Sequence, residues 1–496
     1  MQHATTARGR RRVAVAALVA IAAACSTPAE DADDTDDADI STDDSAATSA
    51  PADDEGESSP DPTDGTTAGT TAGTTTDTTA DTATSGDGTG DTPATSAPAD
   101  DEPAGPATLD PVTVAVMYPD LSVAAQFGFA EEIGDFTPVF EAFAADANER
   151  GGIAGHPIEL EMVEFDLLVD GDAVSACLTA TQDLDAFVVI GLGGVYGDPV
   201  VCVAEQNETL LLQDDGSPAE FYERADGRLF SLTPNKAESQ VAIVDAFADE
   251  LAAAPFAVFA TLDTGGDYDT MQEYLLPALD GAGLEPAVVV VIDSDTDVAA
   301  SQIPIEVEEI RAAGVENVIA TPGFFSTAAF AQALDAGGVD VRWIGSDAGG
   351  FASDLYASQM PPAQMDGALA ITTRTVGWRA AGLDEPASRL DCRERAAELV
   401  PDGDFSTESI DVAAAVPACN FVDLLVLAGQ GVDGDLTTES LATAIHGLAE
   451  LELVERGPSG FGIDKFTAAD EARTIEWSAD CECWTAISDF EPLFAE

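Results

Sequence analysis

The sequence predicts an α/β fold in two lobes, each a parallel sheet covered on both faces by helices. Three observations carry this. Past Thr108 the chain becomes rich in Ala, Val, Leu and Gly for about 390 residues, enough for two compact lobes. Short β-branched apolar runs alternate there with stretches of helical period. The alternation then restarts near Ala237, which marks the second lobe.

The first series opens with strand Val112 to Tyr118. Helix Thr137 to Glu149 follows, with Val139, Phe140, Phe143 and Ala147 on one face, and it stops at Arg150-Gly151-Gly152. Strand Ile158 to Phe165, helix Ala173 to Asp183, strand Ala186 to Ile190, helix Pro199 to Asn207 and strand Leu210 to Gln213 complete the series. The second runs through helix Ala237 to Ala252, strand Phe256 to Thr261, helix Tyr268 to Ala282 and strand Ala287 to Ile292. Helix Ile303 to Ala313, strand Val315 to Ala320, helix Thr327 to Ala336 and strand Arg342 to Gly345 continue it. An extended return from Ala368 to Val376, helices Ile410 to Leu427 and Thr437 to Leu451, and a polar hairpin-like stretch from Gly460 to Phe490 close the chain. No run in this part is expected to be long and apolar enough to cross a bilayer.

At the N-terminus, Arg8, Arg10, Arg11 and Arg12 precede an apolar run from Val13 to Ala24 that stops at Cys25. Residues 1–25 have the pattern of a signal peptide, too short for a spanning helix. Ala22, Ala23 and Ala24 before Cys25 resemble a bacterial lipobox, which implies a lipid on Cys25; Ala22 stands where that box usually carries leucine. Ordinary cleavage that leaves a free thiol is the competing reading. Residues 26–109 are Asp, Thr, Ala, Gly, Ser and Pro with almost no large apolar side chain, so a disordered acidic tether is expected. The string Thr48 to Glu55 recurs as Thr95 to Glu102, which marks low complexity. These features imply a domain anchored outside the bacterial cell membrane by lipid alone, and a monomer.

The net charge is −75, and the stretch from Ser26 to Thr108 holds only 22 of the 93 acidic residues, so the folded part is acidic as well. Nucleic acid and acidic lipid are therefore poor partners, and no nucleic acid is expected. Lys236 and Lys465 are the only lysines, a bias of composition that says little about a ligand. Setting Cys25 aside, six cysteines remain, an even number that suits disulfides in an exported chain. Cys177 and Cys202 lie on consecutive helices flanking one strand and are expected to pair. Cys392 with Cys419 and Cys481 with Cys483 complete the simplest scheme, although six cysteines allow about fifteen connectivities. Beyond the signal segment only His156 and His446 remain, so no zinc quartet can be assembled and no metal or cofactor is expected.

The string Asn148-Glu149-Arg150-Gly151-Gly152-Ile153-Ala154-Gly155-His156-Pro157-Ile158-Glu159-Leu160, followed by Phe165-Asp166, resembles the signature of the type I periplasmic-binding proteins. It is most similar to the branched-chain amino acid (Leu/Ile/Val) branch, the substrate-binding proteins of ABC transporters. The resemblance of element order extends from about Val112 to the C-terminus. It implies two Rossmann-like lobes joined by three hinge crossovers, near Thr233 to Asn235, Ile371 to Thr375 and Ser459 to Gly462. Lobe 1 would then comprise residues 110–235 plus 373–459, and lobe 2 residues 236–372 plus 460–496.

In an open parallel sheet, ligands bind beyond the carboxyl ends of the strands. The resemblance implies an amino acid held by its carboxylate on lobe 1 and by its ammonium on lobe 2. Asp347 falls where the ammonium-binding acid is expected, Tyr268 and Phe324 at two aromatic positions, and Ser217 at a hydroxyl position. Backbone amides around Gly194 to Tyr196 could receive an anion. Val195 replaces an expected hydroxyl residue, and Glu132 with Ile133 replaces an aromatic-bearing turn. Asp120, Asp135, Asp214, Asp215 and Asp263 around the same mouth favour a cationic or amine-bearing solute, and turn chemistry accounts for such residues equally well. The implied function is capture of an amino acid, amide or related amine and delivery to an ABC permease. A sensor of the same fold signalling to a membrane partner is the alternative.

Enzyme readings lack their parts. The run Gly191-Leu192-Gly193-Gly194-Val195-Tyr196-Gly197 misses dinucleotide spacing because Tyr196 takes the third glycine's place. No G-x-S-x-G elbow occurs.

Overall fold

The structure is a computed structural model that describes residues 105, 107–122, 134–167, 169, 171–262, 266–407 and 409–493. Cys25, most of the 26–109 segment, Glu132 and Asp263 lie outside the described residues.

The first sheet has five parallel strands, β1 (Val112–Asp120), β2 (Ile158–Asp166), β3 (Val188–Gly191), β4 (Leu210–Gln213) and β5 (Leu229–Ser231), in spatial order β2-β1-β3-β4-β5. Alternation along each strand feeds two cores. Val114, Val116, Val188 and Ile190 face helices Phe136–Glu149 and Ile410–Gln430, while Ala115, Met117 and Val189 face Cys177, Cys202 and Val203.

The second sheet repeats the pattern. Its strands β6 (Phe256–Leu262), β7 (Val288–Asp293), β8 (Asn317–Ala320), β9 (Arg342–Ser346) and β10 (Leu369–Thr372) run parallel in the order β7-β6-β8-β9-β10. Two antiparallel strands, β11 (Glu471–Ser478) and β12 (Cys483–Ala486), extend it beyond β10. A short β13 (Glu491–Pro492) pairs with β11. Phe259, Phe330 and Trp343 pack on one face, and Val258, Ile319 and Ile344 on the other.

The signature string is a structural turn. Asn148 clamps the start of β2 at both ends of its amide, donating from Nδ2 to Ile158 O at 3.0 Å and accepting from Ile158 N at 2.6 Å. Gly152 adopts φ 60°, and a Cβ there would lie 2.0 Å from His156 O, so only glycine closes the turn. Ile153 then drops fully into the first core.

Several expectations change in detail. Helix Ile410–Gln430 is long and apolar enough by composition to cross a membrane, against the expectation of no such run, but most of its apolar stretch is buried inside the first lobe. The third crossing segment is longer than Ser459 to Gly462 and already begins where Glu455 to Gly457 pairs with Thr373 to Thr375. Phe461 and Ala468 belong to the first core, and Thr467 bridges in parallel to Ser231 beside β5, so the chain leaves that lobe only at about Ala469. On the second crossing, Val376 still packs against the second core, and the chain enters the first lobe with helix Ala387–Leu399.

Three disulfides join Cys177 to Cys202, Cys392 to Cys419 and Cys481 to Cys483, across sequence separations of 25, 27 and 2 residues. Loop entropy makes the first two worth roughly 3 to 4 kcal/mol each and the last less than about 2. Replacing Cys392 and Cys419 together with alanine should therefore lower the melting temperature several degrees more than the same change at Cys481 and Cys483, as calorimetry would show.

Candidate ligand cleft at the hinge

Both sheets have the same strand order, so each has a switch point where successive connections leave on opposite faces and the strand ends open into a crevice. The loops that leave the two sheets face one another: a Cβ on Gly266, after β6, would lie 3.0 Å from Cγ of Pro218, after β4.

All three crossing segments gather on the loop after β4. Asp214, its first residue, accepts from Arg374 Nη2 at 2.7 Å and from Arg456 Nη2. Arg374 and Arg456 lie opposite each other in an antiparallel bridge between the second and third segments, closed by Thr375 N donating to Glu455 O at 2.9 Å and Gly457 N to Thr373 O at 2.8 Å. The first segment joins through Thr233 Oγ1, which donates to Asp214 O at 2.7 Å. Gly216 presses against that segment so closely that a Cβ would lie 1.9 Å from Pro234 O.

The second lobe is tied in by Asp347, the residue after β9. Its carboxylate accepts from Thr372 Oγ1 at 2.6 Å, Thr373 N at 2.6 Å and Thr373 Oγ1 at 2.7 Å. Lys236, which follows the first crossing, pairs with the buried Asp267 of the second lobe.

These ions set one another's protonation. Burial would raise Asp214, but the charges of Arg374 and Arg456 outweigh it and hold the carboxyl at about 2. Asp215 is pushed up from the carboxylate range by burial and then by the charge of Asp214. Arg374 is raised, chiefly by the charge of Asp214. Yet Arg374 keeps 37% and Asp214 27% of its side-chain surface. Both groups are crowded by protein yet reachable from solvent, which suits the floor of a crevice at the carboxyl ends of the strands.

The structure assembles part of the expected site around this floor. The backbone N–H of Gly194 faces the Asp215 carboxyl closely enough to oppose the effect of its burial, which brings the loops after β3 and β4 together. Tyr196 is 58% exposed beside them. Val195 is not placed to touch a solute with its side chain, which is buried in the core behind the sheet. Ser217 is buried too, its hydroxyl accepting from Gln213 Nε2 at 2.8 Å, within a network that includes Ser231 and Tyr222. Tyr268 packs partly against the second core. Phe324 begins helix Phe324–Gly337, and its side chain is outside the described residues.

Local bonding engages three acids of the mouth, as turn chemistry predicts. Asp135 accepts from Thr137 N at 2.9 Å as a helix cap, Asp120 accepts from Ser122 N at 2.8 Å, and Asp214 is paired. Thr372, Thr373 and Arg374 lie in an expected crossing, but their bonds to the two aspartates, and Arg456 altogether, are what sequence reasoning missed. The scarcity of basic residues was the available signal: past Leu109 the chain has only twelve arginines, and one, Arg374, lies in an expected crossing.

Two lobes of one topology, joined by three segments that meet on a charged crevice floor, define a two-lobed binding protein. The chain belongs to the periplasmic binding protein family, whose model matches residues 111–482. Members of that family bind solutes, and the chain is not an enzyme. Its fold is shared with a branched chain amino acid ABC transporter protein from Thermus thermophilus with bound valine, at 16% identity and TM-score 0.55, over 78% of this chain and 97% of that one. A solute binding protein of an ABC transporter from Rhodopseudomonas palustris BisB5, in complex with 3,4-dihydroxy benzoic acid, is similar at 13% identity and TM-score 0.55, over 77% and 98%. So is the leucine-, isoleucine-, valine-, threonine-, and alanine-binding protein from Brucella ovis in its closed conformation, at 16% identity and TM-score 0.54, over 77% and 95%. No curated protein matches the chain.

The Asp214 clamp has a pH signature. Its pKa is lowered from 3.8 to about 2, so its contribution is complete above the unfolded value and is lost as pH falls through the folded one. Asp214→Asn should cost about 2 to 3 kcal/mol at neutral pH, and the gap from wild type should close between about pH 4 and 2 in denaturant titrations.

Proposed function

We propose that this protein is an extracytoplasmic lipoprotein that captures a small polar solute between its lobes and delivers it to an ABC permease in the cell membrane. Residues 1–25 are its signal segment, Cys25 carries the lipid, and residues 26–109 form the tether. The lobes are those expected from the sequence, 110–235 plus 373–459 and 236–372 plus 460–496, with the boundaries adjusted where Val376 and Phe461 pack. The observation that carries the reading is the hinge: three crossing segments converge on Asp214, beside the carboxyl ends of β4 and β9. Similar structures with valine or an aromatic acid support a small solute in the crevice.

Around the solute we place Glu132, the backbone of Gly194 and Val195, Tyr196, Asp215, Tyr268 and Phe324. Ser217 and Asp347 act from behind, through the hydrogen bonds that hold the loop after β4 and the second crossing. Closure about the hinge would bring the two groups of residues together.

A solute that binds only the folded state must stabilise it, by about 2.7 kcal/mol at a hundredfold excess over Kd. Thermal-shift screening against amino acids, amides, amines and short carboxylates should find at least one compound that raises the melting temperature by several degrees. A flat response across the panel would remove the capture reading. For the anchor, Cys25→Ser should move the protein from the membrane fraction to the medium on cell fractionation, and unchanged membrane association would show that Cys25 carries no lipid.

A further inference from the structure

The cross-link between Cys481 and Cys483 adds least to stability. Its ring encloses a single residue, so closing it constrains the unfolded chain less than either of the other disulfides does. The linkage runs both ways. A disulfide that adds little to the folded state gains little protection from folding against reduction.

Access separates it further. Cys177, Cys202, Cys392 and Cys419 are at most 5% exposed and belong to the cores of the first lobe. Cys481 is exposed at the tip of the β11–β12 hairpin, and Cys483 is half-buried where β12 begins. A thiolate from solvent therefore meets Cys481 first. Glu482 between them has φ 53°, in the left-handed region that residues other than glycine adopt at a cost, so the closed ring encloses strained backbone.

The hairpin around the bond is held by other contacts. β11 and β12 pair from Ile475 with Ala486 to Ser478 with Cys483. Trp484, next in the chain, donates from its backbone N to Asp354 Oδ1 and from Nε1 to Ser353 O, both at 3.2 Å, and packs edge-to-face on Phe351 and Trp477. Acceptors for an opened thiol are in place, since Ser478 O and Cys483 O each lie 3.6 Å from Cys481 Sγ. The bond can open and close on a fixed frame.

We propose that Cys481–Cys483 is a reversible thiol-exchange site, attacked at Cys481 by a small neutral or cationic thiol while the other two disulfides stay closed. The attacking thiolate bonds to Cys481 Sγ as the Cys481–Cys483 bond breaks, and the electron pair leaves on Cys483 Sγ, which takes up a proton. A second thiol then attacks the sulfur of the first and carries it off as a small-molecule disulfide. Cys481 departs as a thiol, so two small thiols are oxidised and one protein disulfide is reduced. Charge selects the thiol: Asp480 and Glu482 are exposed on either side of Cys481 in a chain of net charge −75, which disfavours an anionic one.

The test treats the oxidised full-length protein, at low ionic strength, with cysteamine, 2-mercaptoethanol or mercaptoacetate at matched thiolate concentration. Free thiols are then blocked with N-ethylmaleimide and located by peptide mass spectrometry. Cys481 and Cys483 should be labelled at thiol concentrations at least tenfold below those that label the four core cysteines, and severalfold more slowly with mercaptoacetate than with cysteamine. Labelling of all six together, or of the core cysteines first, would overturn the site. Equal rates for the three thiols would overturn the selection by charge. With cystamine, Cys483→Ser should form a mixed disulfide on Cys481 at least tenfold faster than Cys481→Ser forms one on Cys483, and equal rates would overturn attack at Cys481. The wild-type labelling decides the site even where a variant does not fold.

Discussion

Asp214 is the fixed point on which the two lobes are hung. One carboxylate at the end of β4 holds the second and third crossing segments through Arg374 and Arg456, and its own carbonyl holds the first through Thr233. Truncating one partner of such a network leaves a buried guanidinium uncompensated, which costs far more than the pair contributes over an apolar substitute. Arg456 is the most vulnerable member of the arrangement, because its Nη1 is buried and has no hydrogen-bond partner among the described residues even with Asp214 in place.

Asp347 occupies the corresponding position in the other lobe. β4 and β9 are each the fourth strand in the order of their sheets, and an aspartate follows each directly. The two acids bind the same crossing segment from opposite sides, one by arginine and the other by threonine hydroxyls and a backbone amide. The apolar cores, by contrast, stay within the lobes: the residues clustered on β1 to β5 are distinct from those on β6 to β12. Hydrogen bonds and ion pairs at a hinge can be re-aimed by small backbone rotations, whereas an apolar core spanning both lobes would have to be broken to open them.

Most of the fold was legible because buried parallel strands and amphipathic helices print strong periods. The exceptions are physical. β5 is only three residues, Leu229–Ser231, too short to show alternation, and helix Ala387–Leu399 buries just Cys392 and Ala396, so its apolar face is narrow. The site was less legible. A single sequence marks the loops after strands but not the direction of each side chain, so Val195 and Ser217 were assigned to the crevice although both turn inward. The arginine partners of Asp214 lie 160 and 242 residues away, a separation at which no local pattern connects them.

The remaining tension is between the charge of the whole chain and the charge of its crevice. At −75 the protein repels anions at long range, yet two of its few arginines meet on Asp214 at the hinge. The two act over different distances. Surface charges are screened within about 8 Å at physiological ionic strength, so the acidic surface sets a field that salt largely removes. The hinge ions are crowded by protein on most sides, where the effective dielectric is lower and mobile ions penetrate poorly. The acidic composition and the arginine-bearing hinge are compatible because screening separates them, and the clamp on Asp214 keeps Arg374 oriented.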